Sequence, residues 1–112
     1  MACPDAETAQ KILRPVPYEK GFHFFMTDGH YTGETALSLC GFLKDLRNVD
    51  AQSIRYHFER GDFQKWIRIT LGDTELSDRL DKVDKKMPPE SLATILAAVV
   101  QKRISELQLI DK

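Results

Sequence analysis

His57-Phe58-Glu59-Arg60-Gly61-Asp62-Phe63-Gln64-Lys65-Trp66-Ile67-Arg68-Ile69-Thr70-Leu71-Gly72-Asp73 carries a Gly-Asp pair at 61–62 and another at 72–73. Glycine ends a helix readily because it accepts the left-handed C-terminal conformation, and aspartate starts one by accepting free amide hydrogens. Between the pairs, Phe63, Trp66, Ile67 and Leu71 recur at three- and four-residue spacing, the period of one helical face. The stretch predicts a helix ending at Gly61, a second capped by Asp62, and a third opened by Asp73.

The same period extends in both directions. Upstream, Asp50 reads as the cap of a helix with Ala51, Ile54 and Phe58 on its inner face. Before it, Thr32 is placed to cap a helix from Gly33 or Glu34 to about Arg47, whose stripe is Ala36, Leu39, Cys40, Leu43 and Leu46. Downstream, Asp73 leads into Leu76, Leu80 and Val83, and the Met87-Pro88-Pro89 segment stops that helix. From Pro89 or Glu90 to about Leu109 runs the longest predicted helix. It is apolar nearly all round between Leu92 and Val100, as a helix with neighbours on several sides should be.

The N-terminal third reads differently. Asp5 is a candidate cap for a short helix to Leu13, stopped by Pro15 and Pro17. The aromatic run Phe22-His23-Phe24-Phe25-Met26 is expected to be extended, with His23 on the opposite side from Phe22 and Phe24. Thr27-Asp28-Gly29 reads as a turn. No second strand is expected to pair with the aromatic run. The predicted fold is all-α or nearly so: four short or medium helices around a longer C-terminal one, with the N-terminus and the aromatic segment laid over the outside. One domain is expected over 1–112, divided into an N-terminal segment (1–33) and a helical core (34–110).

With 42% hydrophobic and 29% charged residues in 112, the chain has the composition of a folded globular domain. Sixteen basic against seventeen acidic residues leave a formal charge of −1, which provides no general attraction to nucleic acid or anionic membrane. Lys and Arg on the middle helices alternate with Asp and Glu, so a nucleic-acid partner is not expected. The apolar run in the last helix is too short to span a bilayer. Cys3 and Cys40 form no disulfide or zinc spacing, and the first residues lack a secretory signal; both point to the cytoplasm. Cys40 is expected to be buried on an apolar face and Cys3 to lie in a tail.

Candidate chemistry centres on His57, Arg60, Asp62 and Trp66. One reading makes them a polar pocket in which Arg60 and the imidazole hold a carboxylate or phosphate at a helix start. The other is structural: Asp62 caps its helix, His57 bonds a backbone carbonyl, and Arg60 pairs with Glu59 or Asp62. His23, Asp28 and His30 match no metal-ligand spacing. No serine sits in a nucleophile turn and no glycine-rich phosphate loop is present, so no catalytic residue, metal or cofactor is assigned.

From about Phe22 to Leu107 the chain resembles a small family of mostly helical archaeal and bacterial domains of unknown function. The residues that carry the likeness are Tyr31-Thr32-Gly33 followed by Ala36 and Ser38-Leu39, Ser53 with Tyr56-His57, Arg60-Gly61-Asp62-Phe63 with Trp66-Ile67, and Leu71-Gly72-Asp73 with Leu76. The resemblance implies a helical fold and brings no reaction, cofactor or catalytic residue. The order of helices is also similar to that of sterile-alpha-motif interaction domains, a likeness of fold alone.

All ten aromatic residues lie between Tyr18 and Trp66, either as core or as an exposed surface for a partner. The leading expectation is therefore a non-catalytic cytoplasmic interaction or regulatory module with a protein partner, self-association included. The alternative is a small-ligand or anion-binding domain using His57, Arg60 and Trp66. An open pocket with unsatisfied polar groups favours the ligand; a flat aromatic patch favours the partner.

Overall fold

The long C-terminal helix, α6 (Pro89–Asp111), organises the core of the computed structural model, which describes residues 5–27 and 29–111. Leu92, Leu96, Val100, Ile104 and Leu107 are buried along it. Four helices pack against α6: α1 (Ala6–Leu13), α2 (Leu39–Asn48), α3 (Ala51–Arg60) and α5 (Thr74–Asp81). This is the many-sided contact that its all-round apolar first half requires. Between α3 and α5, the short α4 (Asp62–Trp66) runs without a break into a π-helical turn, Ile67–Leu71.

The punctuation works largely through the expected residues. Asp5, Asp50 and Asp73 each accept a backbone N–H at the start of α1, α3 and α5. Gly61 and Gly72 end their helices in the left-handed region, at φ 75° and 84°. A Cβ at Gly61 would meet no atom within 4 Å. The strain of Gly61→Ala is therefore confined to the backbone, and chemical denaturation should show a loss of about 1–2 kcal/mol. A variant as stable as the parent would mean that this junction relaxes without consequence.

The fold is mostly helical but not all-α. β1 (Phe22–Phe25) pairs antiparallel with β2 (Tyr31–Ala36), with Phe22 opposite Ala36, His23 opposite Thr35 and Phe25 opposite Tyr31. The register shifts between His23 and Phe25. As expected of an extended run, Phe22 and Phe24 are buried while His23 and Phe25 are half-buried. The unexpected element is β2. Tyr-Thr-Gly-Glu-Thr-Ala buries only its last residue, so it presents no apolar alternation, and Ala36 fits a helical stripe equally well.

The strand moves the next boundary. α2 begins at Leu39 with Ser38 as its cap, the serine oxygen accepting the Gly41 N–H at 3.1 Å. Thr32 caps nothing; its hydroxyl donates to the Phe24 carbonyl at 2.8 Å across the hairpin. Cys40, which was expected to be buried, is exposed, because Phe42 joins Leu39, Leu43 and Leu46 on the inner face of α2 and residue 40 falls beside it. The helical body therefore does not begin at residue 34. Nor does α1 lie over the outside, because Ala9 and Ile12 are buried in the core. Gly29 has a positive φ, and the His30 N–H donates to the Thr27 carbonyl at 3.0 Å. The readings made for Asp28 and for Cys3 fall outside the described residues.

Candidate functional site

A two-stranded sheet leaves alternate peptide groups of each strand pointing away from its partner, and these need other hydrogen-bonding groups. At Phe25 they come from α3. Ser53 and His57 stand one turn apart on the buried face of that helix. The Ser53 hydroxyl donates to the Phe25 carbonyl at 2.7 Å, and the Phe25 N–H donates to His57 Nε2 at 2.8 Å. Both polar groups of one peptide residue are thus held by two side chains of one helix.

This contact fixes the state of His57. A ring nitrogen that accepts an N–H carries no hydrogen itself, so the proton sits on Nδ1. Nδ1–H then donates to Asp62 Oδ2 at 2.9 Å. Burial among Phe22, Phe24, Phe25 and Phe63 holds the imidazole below its ordinary pKa, and the Asp62 carboxylate opposes that shift in part.

Asp62 therefore does not have the capping role expected of it. It is the first residue of α4, Gly61 occupies the cap position, and no side chain caps that helix. Its Oδ2 accepts from His57 and also from Arg60 Nε at 3.1 Å. Arg60 Nη1 donates to the Tyr56 hydroxyl at 3.0 Å, and its guanidinium carbon lies 5.0 Å from the centre of the Tyr56 ring. His57, too, bonds a backbone amide rather than the carbonyl expected. Trp66 is separate from this group: it is buried beside Phe22 and Phe42, and its Nε1–H donates to the Lys20 carbonyl at 2.8 Å.

His57, Arg60 and Asp62 line an open cleft of about 450 Å³ between the hairpin and the α3–α4 junction. His23 and Phe25 form the wall on the strand side, facing Tyr56, Arg60 and Asp62. Beyond His23 the hydroxyls continue outward. His23 Nδ1 lies 2.8 Å from Thr35 Oγ1, which is bonded to the Tyr31 hydroxyl, and the Tyr18 hydroxyl is 3.4 Å further on. Tyr18 is 59% exposed and Tyr31 41%, so an aromatic surface adjoins the cleft.

The chemistry this permits is limited. The charge of Arg60 is answered by Asp62, and His57 has both nitrogens engaged. Among the described residues, no serine, cysteine or lysine lines the cleft, and no three His, Cys, Asp or Glu side chains gather where they could hold a metal ion. What the arrangement shows is polar side chains holding one another and the strand backbone in place. Ser53 was not identified as a site residue from the sequence, and Tyr18, Phe25, Tyr31 and Tyr56 were read only as members of an aromatic set that could be core or partner surface. One signal was available: Ser53 and His57 are polar residues four apart on the same face as Ile54 and Phe58, which calls for a buried partner. Comparison of the chain with protein-family models, curated proteins and solved structures finds no match.

Proposed function

We propose that the protein is a non-catalytic interaction module of the cytoplasm that receives a partner protein on the cleft between β1 and α3–α4 and on the tyrosines beside it. The observation that supports this most is the pairing of exposed Tyr18 and Tyr31 with a cleft whose polar groups already satisfy one another. Tyr31 stands on β2 and Tyr18 in the 3-10 turn (Tyr18–Lys20) just before β1, and such aromatic rings contribute large contact area at small entropic cost, the usual character of binding hot spots. An anion would have to compete with Asp62 for Arg60, so the ligand reading is the weaker one. The likeness to helical domains of archaea and bacteria belongs to the same proposal and adds no reaction or cofactor to it.

The test is capture from native extract with the tagged chain, followed by native mass spectrometry of what is retained. The retained protein should bind the Tyr18→Ala/Tyr31→Ala variant at least about tenfold more weakly, since hot-spot truncations cost about 2 kcal/mol or more. Ile69→Ala, which alters another exposed apolar side chain, should bind as the parent does. A complex of twice 12.8 kDa would identify the partner as a second copy of this chain. Equal retention by the tyrosine variant, or a bound species of small-molecule mass, would overturn the reading.

A further inference from the structure

We infer that His57 is an acid-sensitive latch: a proton taken up on Nε2 parts β1 from α3 and changes the shape of the cleft between them. The argument begins from the donors. Nδ1 already carries its hydrogen and gives it to Asp62, so an added proton can go only to Nε2. That nitrogen lies 2.8 Å from the Phe25 nitrogen, and two N–H groups cannot share this contact. Protonation therefore breaks the bond rather than strengthening the site. The Ser53–Phe25 contact at 2.7 Å is then the remaining side-chain bond from α3 to this strand residue.

The groups facing His57 pull in both directions, and burial decides between them. From α4 comes Asp62, which favours the imidazolium but shares its Oδ2 with Arg60. From α3 itself come Arg60, which disfavours it, and the Tyr56 ring at 5.0 Å. From β1 come the rings of Phe22, Phe24 and Phe25, which carry no charge, with His23 on the opposite face of the strand lining the same cleft. The unfolded chain takes up the proton near pH 6.5 and the folded chain at lower pH, so the latch is secure above about 6.5 and weakens as pH falls below it. That the latch regulates binding rests on the cleft being the docking surface.

The experiment uses the isolated 112-residue chain, so its result is independent of whether a partner exists. Nitrogen NMR at pH 7 should find His57 neutral with its hydrogen on Nδ1. The exchange protection of the Phe25 amide, corrected for intrinsic rate, should then fall about tenfold between pH 7 and pH 5. His57→Gln, whose side-chain oxygen can accept the same N–H without titrating, should change less than about twofold over that range. A hydrogen found on Nε2 at pH 7, or Phe25 protection that stays constant in the parent, overturns the proposal even if His57→Gln does not fold. Loss of the tyrosine-dependent capture at pH 7 would instead remove the docking surface and leave the latch standing.

Discussion

Asp73→Ala is expected to lower the unfolding free energy by roughly 3–5 kcal/mol, the cost of breaking a buried ion pair from one side. Asp73 is 2% exposed and Arg103 5%. The pair is bidentate, with Arg103 Nε donating to Oδ2 at 2.8 Å and Nη2 to Oδ1 at 3.0 Å. Asp73 Oδ1 also caps α5 by accepting the Leu76 N–H at 3.2 Å, so one carboxylate joins the start of α5 to the middle of α6. Arg103 passes the connection on to Glu106 at 3.2 Å, and Glu106 in turn accepts two bonds from Arg79 of α5. Without Asp73, the Arg103 guanidinium remains desolvated with Glu106 as its other anionic partner. Asp73→Asn keeps a capping oxygen but no charge, and should recover only the capping share, about 1 kcal/mol. Asp73→Leu combined with Arg103→Met should be markedly more stable than Asp73→Ala, because it removes both charges together. Urea denaturation of the four proteins checks the series. An Asp73→Ala midpoint equal to the parent's would mean that water reaches Arg103.

Asp73 also shows what a sequence can and cannot disclose. Its capping role is local, decided by its place before an apolar period, and it was legible. Its partner lies 30 residues away, and no period reports which distant side chain meets a buried charge. The same division applies elsewhere. Helices α1, α3, α5 and α6 were readable because each carries its own stripe and its own cap or stop. β2 was not, since Tyr31 to Ala36 becomes a strand through pairing with β1 and through the covering of Phe22 and Phe24, both of which are tertiary facts.

The site divides in the same way. His57, Arg60 and Asp62 were identified because polar residues clustered at a helix junction, and the fold does bring them together. Trp66 was included because it follows at helical spacing, yet its ring turns inward toward Phe42 and its N–H goes to Lys20. The role of Asp62 was misread because a Gly-Asp junction reads as a cap wherever it occurs. At 73 the aspartate precedes its helix and caps it. At 62 the chain enters α4 one residue earlier, at Gly61, so the carboxylate is left free for His57.

Phe63→Ala is expected to cost about 3–5 kcal/mol, the range for truncating a fully buried phenylalanine. The ring is 0% exposed and meets side chains of three other elements. Its centre is 5.0 Å from Phe22 of β1, 5.0 Å from Phe42 of α2 and 5.7 Å from His57 of α3. A cavity here removes contacts from three sides at once, and rings cannot shift to fill it without disturbing the strand they cover. Phe63→Leu should recover much of the loss, since it keeps most of the buried area. Because Phe63 packs against both sides of the latch, Phe63→Ala should also reduce Phe25 amide protection at pH 7, where His57 is neutral, whereas the tyrosine surface variants should not. A loss below about 1 kcal/mol would show that the rings are not packed as described, and the placement of His57 against Phe25 would lose its support.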